Sequence, residues 1–370
     1  MNQHFDAIVV GAGIVGAACA ASLARAGMQV AIVERGGIGG ETTSAGMGHI
    51  VVLDDSEAQF ALTRYSQKLW QELEPELPRD AEYDSTGTVW VAANDEEFAE
   101  AERKCAYYNE RGVPATLLSP QKLIELEPNL RAGLAGGLFV PQDAIVHPPA
   151  VAMHLVTQAL TNHATLMMGC TVTALGKGEA VVKNGPRLTA PVLINATCGW
   201  ATDLDPRLPI RKRKGHLILT ESYPGFVRHQ VAELGYSKST GTTEGDSVVF
   251  NVQPRPNGQI LIGASRQYGN EDTGVDKRVV DALLKRAAEY MPALARKRMA
   301  TTRTGFRAAT PDKLPLIGPV LGDETLWLAT GHEGLGITTS LGTAALITAA
   351  LTGKDMEISL DPYLPARFNN

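Results

Sequence analysis

The stretch VVGAGIVGAACAASLARAG, Val9 to Gly27, decides how this chain is read. It lies inside a run of eighteen residues, Ala7 to Ala24, that carries no charge. About 18 or more apolar residues can cross a bilayer as a helix, and an apolar run near the start of a chain also suits an export signal. Two features argue against both. The preceding MNQHFD contains Asp6 and no Lys or Arg, so the positive segment of a signal is missing. Gly11, Gly13 and Gly16 interrupt any spanning helix, and each costs roughly 1 kcal/mol against Ala. The run divides instead into a short buried strand, Phe5 to Val10, and a helix, Val15 to Ala26.

That division gives the glycines a mechanical meaning. Gly11-x-Gly13-x-x-Gly16 follows the strand and opens the helix. In such a turn the first glycine permits the tight bend, the second lets a pyrophosphate approach the backbone, and the third lets helix and strand pack closely. The helix N-terminus offers unpaired N–H groups and the positive end of its dipole to phosphates. A second strand, Gln29 to Val33, ends at Glu34, eighteen residues beyond Gly16. This is close to the spacing of about 20 residues expected for a carboxylate that binds a ribose. Together these parts predict a dinucleotide-binding βαβ unit.

The rest of the composition narrows the class. A chain of 370 residues, 44% hydrophobic, predicts two domains with sizeable cores. A net charge of −6 leaves no electrostatic footprint for nucleic acid. The one basic run, Arg211-Lys212-Arg213-Lys214, reads as a solvated loop before a strand. Cys19, Cys105, Cys170 and Cys198 show no CxxC spacing, and the eight His residues form no metal pattern. We therefore expect no metal, no disulfide framework and a cytoplasmic protein, with contact at the inner membrane face as an alternative.

Further along, Ser56 to Leu73 reads as a helix whose inner face carries Phe60, Tyr65, Leu69, Trp70 and Leu73. Asn94 and Ser119-Pro120 cap two more helices, and His147-Pro148-Pro149 introduces another. The apolar Pro191 to Ala196 fits a buried parallel strand. From about Arg211 the pattern changes to strands joined by turns, with Pro256-Asn257-Gly258 as a hairpin signal. Near the end, Thr325 to Gly353 reads strand, glycine loop, helix. The fold class expected is α/β: a Rossmann-like nucleotide domain on a mostly parallel sheet, plus an α+β domain built on an antiparallel sheet. The first is expected from 1–80, 145–205 and 305–370, the second from 81–144 and 206–304.

Several blocks together resemble a known family. Gly11 to Gly16, Glu34-Arg35, Thr42-Thr43-Ser44-Ala45-Gly46-Met47, Gly305-Phe306-Arg307, Thr310 to Gly318 and Gly331-His332 occur in the order found in the flavin-dependent amine oxidoreductases of the D-amino-acid oxidase and glycine oxidase type. The similarity covers nearly the whole chain. It implies FAD, with Gly11, Gly13, Ile14, Val15 and Gly16 in the cradle, Glu34 at the ribose and Arg35 also binding the cofactor. It further implies that Thr42, Thr43, Ser44, Gly46, Met47 and Gly48 contact the cofactor, and that Val172 meets the adenine through its backbone. The Gly331, His332, Glu333, Gly334, Leu335, Gly336, Ile337 and Thr338 segment would lie against the flavin, where a helix N-terminus stabilises reduced, negatively charged flavin.

By the same resemblance Arg307 binds the substrate carboxylate, a role suited to the planar fork of a guanidinium. His49, Asn251 and Arg266 are further pocket candidates. The chain departs from the family in two places. Glu333, Gly334 and Leu335 stand where relatives can carry a further cation. Ala308 and Ala309 follow Arg307, where other members attach flavin through a cysteine, so non-covalent FAD is expected. The implied reaction is oxidation of the Cα–N bond of a small amino or imino acid by hydride transfer to flavin N5. The segment GMGHIVVLDDSEAQFALTRYSQ looks most like catalytic subunits of hetero-oligomeric D-hydroxyproline or proline dehydrogenases. Glycine or sarcosine oxidase, an opine oxidase subunit, and a flavoprotein electron-transfer or scaffold subunit without its own substrate are the alternatives. The electron acceptor is left open between oxygen, a quinone and a partner subunit.

Overall fold

The computed structural model describes residues 3–235 and 246–368. Its organising element is a six-stranded sheet in the order Leu316–Val320, Asp323–Thr330, Val192–Asn195, Ala7–Val10, Val30–Glu34, Thr165–Met168. All neighbours are parallel except the hairpin of the first two. The central strands AIVV and VLIN are buried along their whole length. Such runs require cover on both faces. One face carries the helices Ile14–Arg25, Pro148–Thr161 and Gly336–Thr352, which share a core with Val9, Ile32 and Ile194. Alanines 17, 18, 20, 21 and 24 of the first helix are buried and keep these helices close. On the other face, Ile8, Val10, Ala31 and Val33 pack against a four-stranded sheet, Gln3–His4, Arg187–Thr189, Glu179–Val182 and Val172–Gly176.

The second large sheet has eight strands. Their order is Met299–Ala309, Arg211–Ser222, Gln259–Tyr268, Ser247–Pro254, Gln230–Glu233, Thr88–Ala92, Gly136–Val140, Thr116–Leu118. It is antiparallel except where Gln230–Glu233 runs parallel to Thr88–Ala92. The helix Lys277–Tyr290 covers one face through Val279, Val280, Leu283 and Ala287. A small apolar group on the sheet, Leu217, Leu261 and half-buried Leu219, packs against Met47. The α/β class read from the sequence is the fold observed.

Two local expectations are corrected. The basic run is no solvated loop: it begins the strand Arg211–Ser222, and Arg213 and Lys214 are buried. Alternation along a strand sends these neighbours to opposite faces, so a cluster of charges in sequence becomes separate buried groups. The helix Glu57–Leu73 buries Phe60, Trp70 and Leu73 as read, but Leu62, Thr63, Ser66 and Gln67 complete the face, while Tyr65 and Leu69 are half-buried. Ser66 meets Gly342 of the C-terminal helix so closely that a Cβ there would collide with it, and Gln67 donates to buried Asp143.

Candidate active site

The glycine turn holds the expected geometry. Gly11 has φ +103°, and a Cβ on it would lie 2.8 Å from Ala196 O at the end of the next strand. A Cβ on Gly16 would collide with Gly11 O. The helix Ile14–Arg25 starts with Gly13 as N-cap, without a side-chain cap; Thr43 Oγ1 accepts from Ile14 N at 3.1 Å. Glu34 accepts from Ala12 N and from Gly36 N, each at 2.6 Å. Its carboxylate is thus fixed at the rim of the turn, with lone pairs to spare for a ribose hydroxyl.

Along this turn runs a cleft of about 340 Å³, walled by Gly11, Gly13, Glu34, Arg35, Thr42, Thr43, Val172 and Trp200 among others. Arg35 pairs with Glu41 at 2.7 Å and stacks over Trp200 at 4.7 Å. A second cavity, about 130 Å³, continues from it. The two share Gly13, Thr42, Thr43, Ala196 and Cys198 in their walls. The second is closed by Ile14, Val15, Gly46, Met47, Gly48, His49, Asn251, Arg307, His332, Glu333, Gly334, Gly336 and Ile337. Two helix N-termini thus face one elongated space: that of Ile14–Arg25 and that of Gly336–Thr352, which also lacks a side-chain cap and an acid in its first turn.

Glycines let the second cavity form. Gly305 and Gly215 are direct partners on neighbouring strands. A Cβ on Gly305 would collide with Ala45 Cβ, and one on Gly263 would lie 2.7 Å from Met47 Sδ. A Cβ on Gly215 would lie 2.5 Å from Arg307 Nη1. The bare sheet surface therefore accepts both the Thr42 to Gly48 loop and the arginine. Arg307 passes over Gly215 and donates to Ser265 O at 2.9 Å.

The remaining groups are electrostatically distinct. Burial pushes His49 down to about 4, with Gln253 opposing and Arg307 adding to the effect. Burial likewise holds His332 at about 3; its Nε2 lies 2.9 Å from Thr343 Oγ1. Both imidazoles are neutral at pH 7. Glu333 is the opposite case. Burial favours its neutral form, but the guanidiniums of Arg266, Arg307 and Arg213 outweigh burial and hold it at about 2.

Not every residue named from the sequence borders these cavities. Ser44 Oγ donates to Glu41 O within its own turn, at 2.9 Å. Thr338 Oγ1 donates to His49 O at 2.9 Å. Gly331, with φ +75°, turns the chain against Thr310 and Leu316. Leu335 is the N-cap of the C-terminal helix. Arg266 stands behind Glu333, its Nε 3.7 Å from Glu333 Oε1. Sequence reasoning missed Thr197, Cys198 and Trp200, which follow the strand Val192–Asn195. The rule that ligands sit beyond the carboxyl ends of parallel strands would have found them. It also missed Arg213, hidden in the basic run, and Gly215. Cys198 brings a thiol to within 3.9 Å of Phe306 O, beside the arginine block but from a distant segment. Burial raises its thiol above the usual range, which makes it a poor nucleophile.

The fold and these joined cavities define a dinucleotide-binding protein with Arg307 in the wall of the second cavity. The profile of the family described as FAD dependent oxidoreductase matches residues 6–350, and the chain belongs to that family. It is an enzyme whose cofactor is FAD. Among its relatives, hydrogen cyanide synthase subunit HcnC of Pseudomonas aeruginosa is 28% identical over 419 residues, spanning 100% of this chain and 97% of that protein. The crystal structure of glycine oxidase from Geobacillus kaustophilus superposes with a TM-score of 0.88 at 26% identity, covering 99% of both chains. L-proline dehydrogenase from P. horikoshii shares the fold, with a TM-score of 0.90 at 22% identity over 100% of this chain and 99% of that one.

The residues present fit FAD. The cradle at Gly11 to Gly16 has no room for a Cβ at its first and last glycine, the helix end is uncapped, and Glu34 is presented by two backbone amides. The second cavity, under the N-terminus of Gly336–Thr352, adjoins Arg307. Among the described residues no group of three or more His, Cys, Asp or Glu side chains is placed to hold a metal, and no helix is long and apolar enough to cross a membrane.

Proposed function

We propose that the protein oxidises the Cα–N bond of a small amino or imino acid, with an imino acid of the proline or hydroxyproline type as the substrate that the loop resemblance favours. The observation that carries this reading is Arg307, set over Gly215 in a cavity continuous with the nucleotide cleft. An electron-transfer or scaffold subunit has no use for a carboxylate anchor at that place. FAD, when bound, supplies the hydride acceptor.

The chain's own residues then have limited tasks. Arg307 clamps the substrate carboxylate and fixes which way Cα faces. Met47, Leu217 and Ala264 line the cavity with apolar surface that excludes water. Asn251 and His49 border the same cavity and are our candidates for the amine side of the substrate. His49 is neutral, so it adds no charge that would repel an ammonium. Glu34, Arg35, Thr42, Thr43 and Val172 hold the dinucleotide, without a covalent link. Resemblance to HcnC, which is named as a subunit, supports a partner subunit as one route for the electrons.

Anaerobic mixing with a panel of amino acids tests the reading. Bleaching of the flavin by proline or a hydroxyproline is expected. Bleaching by glycine or sarcosine alone would favour the oxidase reading that the glycine oxidase relative supports. Absence of bleaching by any amino acid would remove the proposal.

A further inference from the structure

We propose that Glu333 is a built-in occupant of a second carboxylate subsite, which restricts the enzyme to monocarboxylic substrates, and that removing its side chain opens the pocket to dicarboxylic amino acids. The inference rests on Arg307 as the anchor of the first carboxylate. Arg213 and Arg307 are direct partners on neighbouring antiparallel strands, which sets their Cβ atoms about 4.5–5.5 Å apart. Two arginines rooted at paired positions on one face of the sheet can meet the two carboxylates of a short dicarboxylic amino acid.

Arg213 already holds a protein carboxylate. Arg213 Nη1 donates to Glu333 Oε1, and Arg266 Nε lies 3.7 Å from the same oxygen. Glu333 Oε2 accepts from Gly334 N at 2.6 Å. Arg213 is held independently by stacking on Tyr268, 4.5 Å from the ring centre. Among the described residues, the charged and titratable groups around Glu333 are Arg213, Arg266 and Arg307, one on each of three adjacent strands, with the neutral His49 and His332 in the cavity walls. Three guanidiniums face one protein carboxylate.

The backbone points the same way. Glu333 has φ +50°, in the left-handed region where glycine is at ease and other residues are strained. Its loop already uses glycine at 331, 334 and 336. The backbone here gives no reason for a glutamate, whereas the arginines around its carboxylate do. Glu333→Gly removes that carboxylate at a position whose φ favours glycine, and frees Arg213 from its carboxylate partner beside the cavity that Glu333 lines.

The test uses the FAD-loaded protein and two carboxylates that lack a Cα–N bond, succinate and propionate, titrated by the change each makes in the flavin absorption spectrum. The quantity read is the ratio of succinate to propionate affinity. In Glu333→Gly it is expected to rise about 10- to 150-fold, the equivalent of one hydrogen bond to a charged group. Glu333→Gln should give a smaller rise, since the amide still fills the subsite. Adding Arg213→Met to Glu333→Gly should return the ratio toward wild type. An unchanged ratio in the single variants would overturn the proposal, as would a rise that survives Arg213→Met. Should Glu333→Gly fail to hold FAD, Glu333→Gln decides by the same criterion. Propionate titration of Arg307→Ala separates this from the first reading: undiminished binding there would refute Arg307 as anchor, whatever the ratio at Glu333.

Discussion

Gly215→Ala perturbs the site through one methyl group. Its Cβ would lie 2.5 Å from Arg307 Nη1 and 3.1 Å from both Cζ and Nη2. Gly215 lies within a strand and is not left-handed, so alanine suits its backbone. The clash falls on the far end of a flexible side chain, and the guanidinium gives way rather than the sheet. Moving it breaks the 2.9 Å bond to Ser265 O and turns the fork away from the substrate carboxylate. A hydrogen bond to a charged group contributes about 1.5–3 kcal/mol, so flavin reduction at low substrate should fall about 10- to 150-fold. FAD content and thermal stability should stay near wild type. The assay is stopped-flow reduction under anaerobic conditions across substrate concentration, with FAD occupancy measured on the same sample. Kinetics indistinguishable from wild type would refute the claim that Gly215 exists to seat Arg307.

On the proposed ribose contact, Glu34→Ala should weaken FAD binding by about 10- to 150-fold, with the amides of Ala12 and Gly36 losing their acceptor as well; unchanged affinity by flavin titration would place the acid away from the ribose. Acid precipitation should release FAD into the supernatant from the wild type and from Cys198→Ala alike, whereas flavin that stays with the wild-type pellet and leaves that of Cys198→Ala would reveal a covalent link. Asp143 supplies a pH prediction. Its Oδ1 accepts from Gln67 and Val52, and burial pushes the carboxyl up to about 7 against the opposing pull of Thr88, Val52 and Gln67. The fold binds this proton more tightly than the unfolded chain, so this group's contribution to stability is fully present at low pH and is lost as pH rises from about 4 to about 7. Asp143→Asn cannot ionise and should remove that slope, stabilising the protein at pH 8 by about 1–4 kcal/mol; an unaltered slope in denaturant titrations would contradict the assignment.

The sequence disclosed those parts of the site that obey local rules. Gly11, Gly13, Gly16 and Glu34 are readable because a tight turn, a helix start and a strand end each leave a mark within a few residues. The apolar strands at Ala7 and Val192 are readable because burial on both faces demands unbroken hydrophobic runs. The hairpin at Asn257-Gly258 announces itself in the same way. What escaped depends on pairing between distant segments. The run at Arg211 to Lys214 looks hydrophilic in sequence, yet strand alternation buries Arg213 against Glu333, 120 residues away. Gly215 resembles any strand glycine until register places it under Arg307. Cys198 has no motif, and only the packing of the turn Cys198–Trp200 against the Met299–Ala309 strand brings its thiol to the arginine block. Ser44 shows the converse: its hydroxyl type suited a phosphate, but a shorter-range bond to Glu41 O engages it.

The central claim is that Arg307 anchors the carboxylate of an amino acid being oxidised, and stopped-flow flavin reduction in Arg307→Ala and Arg307→Lys measures it directly. Truncating one partner of a desolvated charge pair costs about 2–5 kcal/mol, so reduction by a carboxylate-bearing substrate should fall roughly 30- to several-thousand-fold in Arg307→Ala with FAD still bound. Arg307→Lys should recover only part of the loss, since an ammonium cannot reproduce the planar fork. An amine lacking the carboxylate should react no worse with Arg307→Ala than with the wild type. Near-wild-type reduction of Arg307→Ala by the amino acid, or an equal loss for the amine without a carboxylate, would contradict the account.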